Sequence, residues 1–335
     1  MRLAIPDRLT ATEASKFCRG LFEHRHNKSL VIDFANLKFV IPQGTMCLFV
    51  GITKVIEDRQ LASLSKLEIY LPTRSTDAIG YLAYMDFFAH LASPSQIAQP
   101  VALPQDRKYI KVSCVHLQRS EYLLSAASFH KKLDEQTQSF AQFLLQTDSA
   151  DDPATMAVGW CLREAVRNVF EHAGVDRAYV TGQAWRSGKV ELSVGDAGIG
   201  VYHALEESHH PNDSCHALDL AVKPGITDYI GPETTNDWQN SGFGLYMLSR
   251  IAEDFGSLTI VSSGAFLKTE QGLPGRMLRA TGSPMGTTLA LSLKIPKDLY
   301  FTNLLTQYKE EGETEALVIP GARQAASRAS TTIWG

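Results

Sequence analysis

The sequence predicts an α/β protein built as two units, on three observations. Short aliphatic runs alternate with helical patterns through Met1 to Leu103. Pro94, Pro100 and Pro104 then punctuate the chain. From Ala154 onward a clearer succession of helices and strands follows, including a hairpin. The expected organisation is a small α/β domain over 1–103, a linker and helical connection over 104–152, a second domain over 153–298 and a tail over 299–335.

In the first unit, Ser29 to Leu37 reads as a buried strand, with Leu30, Val31, Ile32 and Phe34 almost continuous. Pro42-Gln43-Gly44 breaks it, and Thr45 to Arg59 follows as a helix. Lys66 to Leu71 alternates like a strand, and Ala78 to Leu91 is helical. In the connection, Tyr109 to Val115 reads as a strand and Ser125 to Leu145 as a helix. Pro153, after the acidic break Asp148 to Asp152, suits the first turn of a new helix running to His172. Ala178 to Trp185 and Lys189 to Asp196 are strands joined by the turn Arg186-Ser187-Gly188. Val190, Leu192 and Val194 alternate with Glu191 and Ser193, as on a sheet with one wet face. Ser208 to Asn240 is long and polar. Phe243 to Phe255 is helical, and Leu258 to Ser263 and Thr287 to Leu293 are strands. Thr314 to Gly335, rich in small and polar residues, reads as disordered.

The length of 335 residues exceeds one ordinary domain, and 44% apolar residues suffice for two cores. No run reaches the ~18 to 20 uninterrupted apolar residues of a membrane span. Met1 to Thr10 lacks the apolar run of a signal peptide, so the cytoplasm is the expected compartment. A net charge of −4 advertises no nucleic-acid partner. The five cysteines are widely spaced and form no Cys-x-x-Cys, which points to reduced thiols.

Four segments carry candidate chemistry. Val158, Leu162, Ala165 and Val169 make an apolar helical stripe, and Glu164 and Asn168 share another face one turn apart. A carboxylate and an amide so placed can orient a water and hold a hydrated Mg²⁺, which needs few protein ligands. They equally suit a solvated polar face. Gly195-Asp196-Ala197-Gly198-Ile199-Gly200 ends a strand. Its glycines permit close backbone approach, and its carboxylate can accept from an exocyclic amine. An Asp bonding its own turn is the plainer alternative. Asn240-Ser241-Gly242-Phe243-Gly244-Leu245 opens a helix whose N-terminal amides can meet an anion, or are simply capped by Ser241. Gly286-Thr287-Thr288 opens the last strand, where a Thr pair is favourable in itself.

In this order the four segments resemble the GHKL family of ATP-binding proteins (gyrases, heat-shock chaperones, histidine kinases, mismatch-repair proteins). The resemblance spans Ala154 to Lys294. It implies a two-layer α/β sandwich, a mixed sheet backed by helices, with ATP and Mg²⁺ as cofactors. Glu164 would be the catalytic carboxylate and Asn168 the Mg²⁺ ligand. Asp196, Gly198 and Gly200 would form the adenine motif. Gly242, Gly244 and Leu245 would form the phosphate motif, and Thr287 the final Gly-Thr motif. Ser208 to Asn240 stands in the place of the family's mobile lid. The P-loop signature Gly-x₄-Gly-Lys-Ser/Thr is absent.

Within the family, Glu164 to Ala173, ending Asn-Val-Phe-Glu-His-Ala, is similar to the anti-sigma-factor serine kinases. Their small α/β partners are STAS domains, and Ser29 to Ile56 weakly resembles one. STAS antagonists carry a phosphorylatable Ser beside the turn glycine. Here Pro42 and Gln43 stand there with only Thr45 nearby, so phosphorylation in cis is not expected. A degenerate STAS-like docking or dimerising module and an unrelated α/β domain both remain readings. His130 is the best phosphoacceptor of a sensor kinase, but Lys131 replaces the acidic residue expected after it. Two chemistries fit the resemblance: ATP hydrolysis, or phosphorylation of a protein partner. A catalytically silent, nucleotide-gated module that sequesters a partner is the alternative. His209, His210, Cys215 and His216 match no structural zinc spacing.

Overall fold

The computed structural model describes residues 1–91, 108–116, 125–228, 241–282 and 286–327. Its N-terminal unit runs β1 (Arg2–Ala4), β2 (Arg8–Leu9), α1 (Ala11–Glu23), β3 (Val31–Asp33), β4 (Phe39–Val40), α2 (Pro42–Leu61), β5 (Glu68–Tyr70), α3 (Asp77–Tyr84) and α4 (Phe87–Leu91). β1, β3 and β5 form a three-stranded parallel sheet, and β2 pairs in parallel with β4. The single helix expected over Ala78 to Leu91 is broken into α3 and α4, where Asp86 adopts φ +58°.

The second unit comprises β6 (Lys108–His116), α5 (Ala126–Leu145), α6 (Pro153–His172), β7 (Arg177–Ala184), β8 (Lys189–Asp196), α7 (Gly200–His209), α8 (Ser214–Ala221), α9 (Gly244–Phe255), β9 (Gly256–Ser262), β10 (Ala265–Glu270), β11 (Met277–Ala280), β12 (Thr287–Lys294) and α10 (Phe301–Ala316). Its strands form one seven-stranded sheet in the order β11-β10-β9-β12-β8-β7-β6. Every described pairing is antiparallel, where a mixed sheet was expected.

Local chemistry explains the boundaries. Asp152 accepts the Thr155 amide at 3.0 Å with Pro153 in the first turn, which starts α6 cleanly. Asp213 caps α8 through the His216 amide at 2.7 Å. That helix, and the end of α7, occupy part of the stretch expected as a polar lid. Residues 229–240 lie outside the described residues, as do Pro94, Pro100 and Pro104.

The stretch expected as a linker supplies real structure. β6 pairs with β7, and α5 buries Phe129, Leu133, Ala141 and Leu144 in the core shared with α6. The expected tail likewise begins as a helix. Phe301, Leu305, Tyr308, Gly312 and Ala316 of α10 are buried at helical spacing.

One face of the large sheet carries Val190, Leu192, Val194, Leu258, Ile260, Leu289 and Leu291 against α5, α6 and α9. The opposite face was expected to be wet, and it is not. Ser193 is buried there, and a Cβ on Gly195 would fall 2.9 Å from Met46 Sδ of α2. Small residues on this face let α2 lie directly on the sheet. Pro42 to Ile52 of α2 are accordingly buried almost all round, which explains the lack of a clear polar stripe there. Val112, Tyr179, Val261 and Phe266 of the sheet join the N-terminal core. The sheet is thus covered on both faces, by helices on one and by the N-terminal unit on the other.

Candidate functional site

β12 inserts between β8 and β9, and its register places Thr287 opposite both Asp196 and Ser262. Three polar side chains far apart in sequence therefore meet at one end of the sheet. Ser262 Oγ lies 3.0 Å from Thr287 Oγ1 and accepts the Val201 amide at 2.9 Å. Ser263 Oγ accepts the Tyr202 amide at 3.2 Å, so two hydroxyls satisfy the first turn of α7. Gly200, at φ +78°, has no space for a side chain beside these serines.

Above this row lies a cleft enclosing about 840 Å³, its open mouth included. That size suits a small-molecule site. Asn168, Asp196, Gly200, Gly242, Gly244, Leu245 and Thr287 all line it. The structure therefore brings seven of the nine sequence-derived positions to one cavity. Its walls are otherwise largely apolar, with Val169, Val194, Val201, Leu205, Ile226 and Ile260.

Asp196 is buried at the end of β8. Its Oδ1 accepts the Gly198 amide at 2.8 Å. Burial pushes its pKa up to about 7, against the lowering effect of backbone hydrogen bonds from Gly198 and Thr287. No ion pair with a cation is formed by Asp196 among the described residues. A carboxylate in such a site is stabilised by a donor group arriving from the cavity.

Gly198 does not line the cleft. Its missing side chain is required by Ala173 at the end of α6, where a Cβ would fall 2.7 Å from the Ala173 Cβ. Gly242, at φ +75°, packs on the backbone of Gly225 and Ile226. Gly244 leaves room for another residue of the set, since a Cβ there would lie 2.6 Å from Glu164 Oε2.

Glu164 is fully buried and does not line the cleft either. Its carboxylate pairs with Arg167 at 2.9 Å and Arg163 at 3.4 Å. Arg163 pairs in turn with Asp134 of α5 at 3.2 Å, and Arg167 with Glu171 at 3.4 Å. Sequence spacing correctly separated Glu164 from the apolar stripe. It could not reveal that the polar face is buried under α5 and α9.

Asn168 donates through Nδ2 to the Glu164 carbonyl at 2.8 Å. That bond fixes the amide and directs acceptor capacity to its Oδ1. The described residues hold no group of three or more His, Cys, Asp or Glu suited to a metal.

His172, one turn beyond Asn168, suits the pocket lining by spacing as well as a capping or packing role, and it lines the cleft; Asp228 also lines it and carries no motif in the sequence. Nδ1 of His172 sits 2.7 Å from Asp228 Oδ1. Burial lowers the His172 pKa most strongly. The hydrogen bond and charge of Asp228, with Glu171, outweigh it and raise the value overall. Burial would raise Asp228, but His172 holds it below its ordinary value. Both directions describe an ion pair spanning the cleft from α6 to the segment after α8.

The other singled-out residues have structural partners. His130 is buried under α6, and burial together with Arg167 and Arg163 lowers its pKa to about 3. A residue so enclosed does not suit an accessible phosphoacceptor. Thr45 is buried and donates to the Ile41 carbonyl at 3.1 Å. His209 Nε2 meets the Thr227 carbonyl at 2.9 Å, and His216 Nδ1 accepts the Asn212 amide at 3.0 Å.

No model of a known protein family matches this chain, and no curated protein matches it in sequence.

Proposed function

We propose that the cleft binds an adenine nucleotide, with Mg²⁺, in a fold of the GHKL type, and that the protein is a nucleotide-dependent regulator of a protein partner. The observation that carries this reading is Asp196. It is a buried carboxylate that lines an apolar cleft, forms no ion pair with a cation among the described residues, and shares the cleft with six more of the positions that the sequence resemblance assigns to ATP. An exocyclic amine is the donor that such a carboxylate accepts. Val194, Ile260 and Leu289 supply apolar surface beside it for a flat ring. The first turn of α9, which begins at Gly244 in the cleft lining, would supply amides for phosphates. Asn168 would hold Mg²⁺, which neutralises phosphate charge when bound.

Displacement of a fluorescent ADP analogue tests this reading. ATP and ADP should displace it from wild type, and GTP, with a carbonyl where adenine has its amine, should not. Equal displacement by GTP would remove Asp196 as the adenine reader.

Two chemistries were expected of the cleft, hydrolysis and transfer to a protein hydroxyl, with Glu164 as the activating carboxylate in either. The pairing of Glu164 with Arg163 and Arg167 favours the alternative reading, a nucleotide-gated module that binds without turnover in this conformation. A general base must reach the proton it removes. Phosphate release separates the two. The silent reading predicts none above background from the protein alone, and a Glu164→Gln change without effect. Turnover that Glu164→Gln abolishes would restore Glu164 as the base.

The N-terminal unit is proposed as a STAS-like docking module for the partner or for a second copy of the chain. Its parallel sheet and helices are compatible with that role, and the burial of Thr45 argues against phosphorylation there.

A further inference from the structure

Residues 317–327 turn back across the wall of the cleft. The Arg323 amide donates to the Gly225 carbonyl at 2.8 Å, and the Ser327 amide to Ser241 Oγ at 2.9 Å. Gly225 in turn donates to the Gly242 carbonyl at 3.2 Å. A Cβ on Gly225 would fall 2.8 Å from the Arg323 nitrogen, at φ +79°, so this glycine is needed for the crossing. Ala326 donates to Glu313 of α10 at 3.0 Å, which ties the segment to its own helix.

Packing repeats the pattern. Ile319 and Ala322 belong to the same small apolar cluster as Leu205, Ala221 and Ile226, and those three side chains line the cleft from the inside. The cleft wall is therefore one layer thick here, with the ligand space on one side and residues 317–327 on the other. Nothing else described covers this outer side with backbone hydrogen bonds to both Gly225 and Ser241.

We propose that residues 317–327 are a strap that holds the Gly225 and Gly242 segments in their ligand-accepting positions, so that docking of the strap and occupancy of the cleft are coupled. The occupant is the adenine nucleotide of the preceding reading, on which this proposal rests. Coupling is reciprocal: a ligand that favours the ordered wall favours the docked strap to the same extent. A macromolecule that pulled the strap away would release the nucleotide without entering the cleft.

Ala322→Glu places a carboxylate in the apolar cluster and should expel the strap without altering any cleft-lining residue. Amide exchange is read first, without ligand. Gly225 and Gly242 should exchange faster in the variant than in wild type. Affinity for a non-hydrolysable ATP analogue with Mg²⁺ should then fall about tenfold or more, the loss of a few backbone and packing contacts. In wild type, the analogue should slow exchange at Arg323 and Ser327. If Ala322→Glu does not fold, Glu313→Ala removes the acceptor of Ala326 and a half-exposed pair with Lys309, and should show the same changes more weakly. Unchanged exchange at Gly225 and Gly242 in a folded variant overturns the strap. Wild type that fails to bind the analogue overturns the nucleotide reading instead, and the exchange comparison still judges the strap.

Discussion

Asp196 combines two demands that pull against each other. Burial favours its neutral form, while recognition of an amine needs the charged one. Its pKa, pushed up to about 7, is above the unfolded value of 3.8, so the stability it contributes is complete below about pH 4 and is lost as pH rises through 7. Under the proposed reading, nucleotide binding should run the opposite way, since the amine would engage the ionised carboxylate. Affinity measured by calorimetry should weaken several-fold between about pH 8 and about pH 6, and Asp196→Asn should both lower it and flatten the profile. A wild-type profile as flat as the variant's would show that the carboxylate does not meet the ligand. Gly200 makes a second residue-scale prediction. Any side chain there meets Ser262 and Ser263 at an unfavourable φ, so Gly200→Ala should cost about 1–3 kcal/mol in denaturant unfolding. No loss would mean the turn relaxes freely. Arg59 makes a third, remote from the cleft. Its buried guanidinium donates to the carbonyls of Arg25, Asn27 and Ser65. Arg59→Met removes the donor common to these carbonyls and should destabilise by about 1–3 kcal/mol while sparing nucleotide affinity. Weakened affinity in the folded variant would show that a change at the far end of α2 reaches Gly195, on which Met46 and Val50 of the same helix pack.

Among the elements, α6 shows how much of the site can be read from a sequence. Its apolar stripe, its proline start and its Glu164–Asn168 spacing are periodic and local, and the helix forms where the pattern puts it. The strands β7, β8 and β12 are likewise legible from alternation. What was not legible depends on contacts far along the chain. Glu164 and Arg167 look like a solvent face until α5 and α9 cover them. Ser262, an ordinary serine in sequence, becomes a cap for α7 only because β12 inserts beside β9. Asp228 acquires meaning only opposite His172. α10 is a different case. Phe301, Leu305 and Tyr308 carry a helical period, but polar composition near the end of the chain outweighed it. β10 and β11 were missed because the run Ala265 to Ala280 is interrupted by the turn at Gly272 and Gly275.

At the scale of the whole molecule, the two units share α2. It belongs to the N-terminal core, yet Met46 and Val50 lie on Gly195, next to Asp196 on the same strand. A shared helix whose N-terminal half is buried should make unfolding a single cooperative event. Calorimetry should show one transition, and two well-separated transitions would mean the units are stable independently. The same arrangement puts the N-terminal unit one residue from the cleft floor, on the opposite face of the sheet, where a partner bound to that unit would be felt through β8. The proposed coupling between the units and the cleft turns on a nucleotide in that cleft. The most direct test is calorimetric titration of the wild-type chain with Mg²⁺ and a non-hydrolysable ATP analogue, with Asn168→Ala and Asp196→Asn alongside. Saturable one-site binding in wild type is expected, with Asn168→Ala losing the Mg²⁺ dependence and Asp196→Asn losing most of the affinity. Absence of binding by a folded wild-type protein, or binding that both variants retain unchanged, would contradict it.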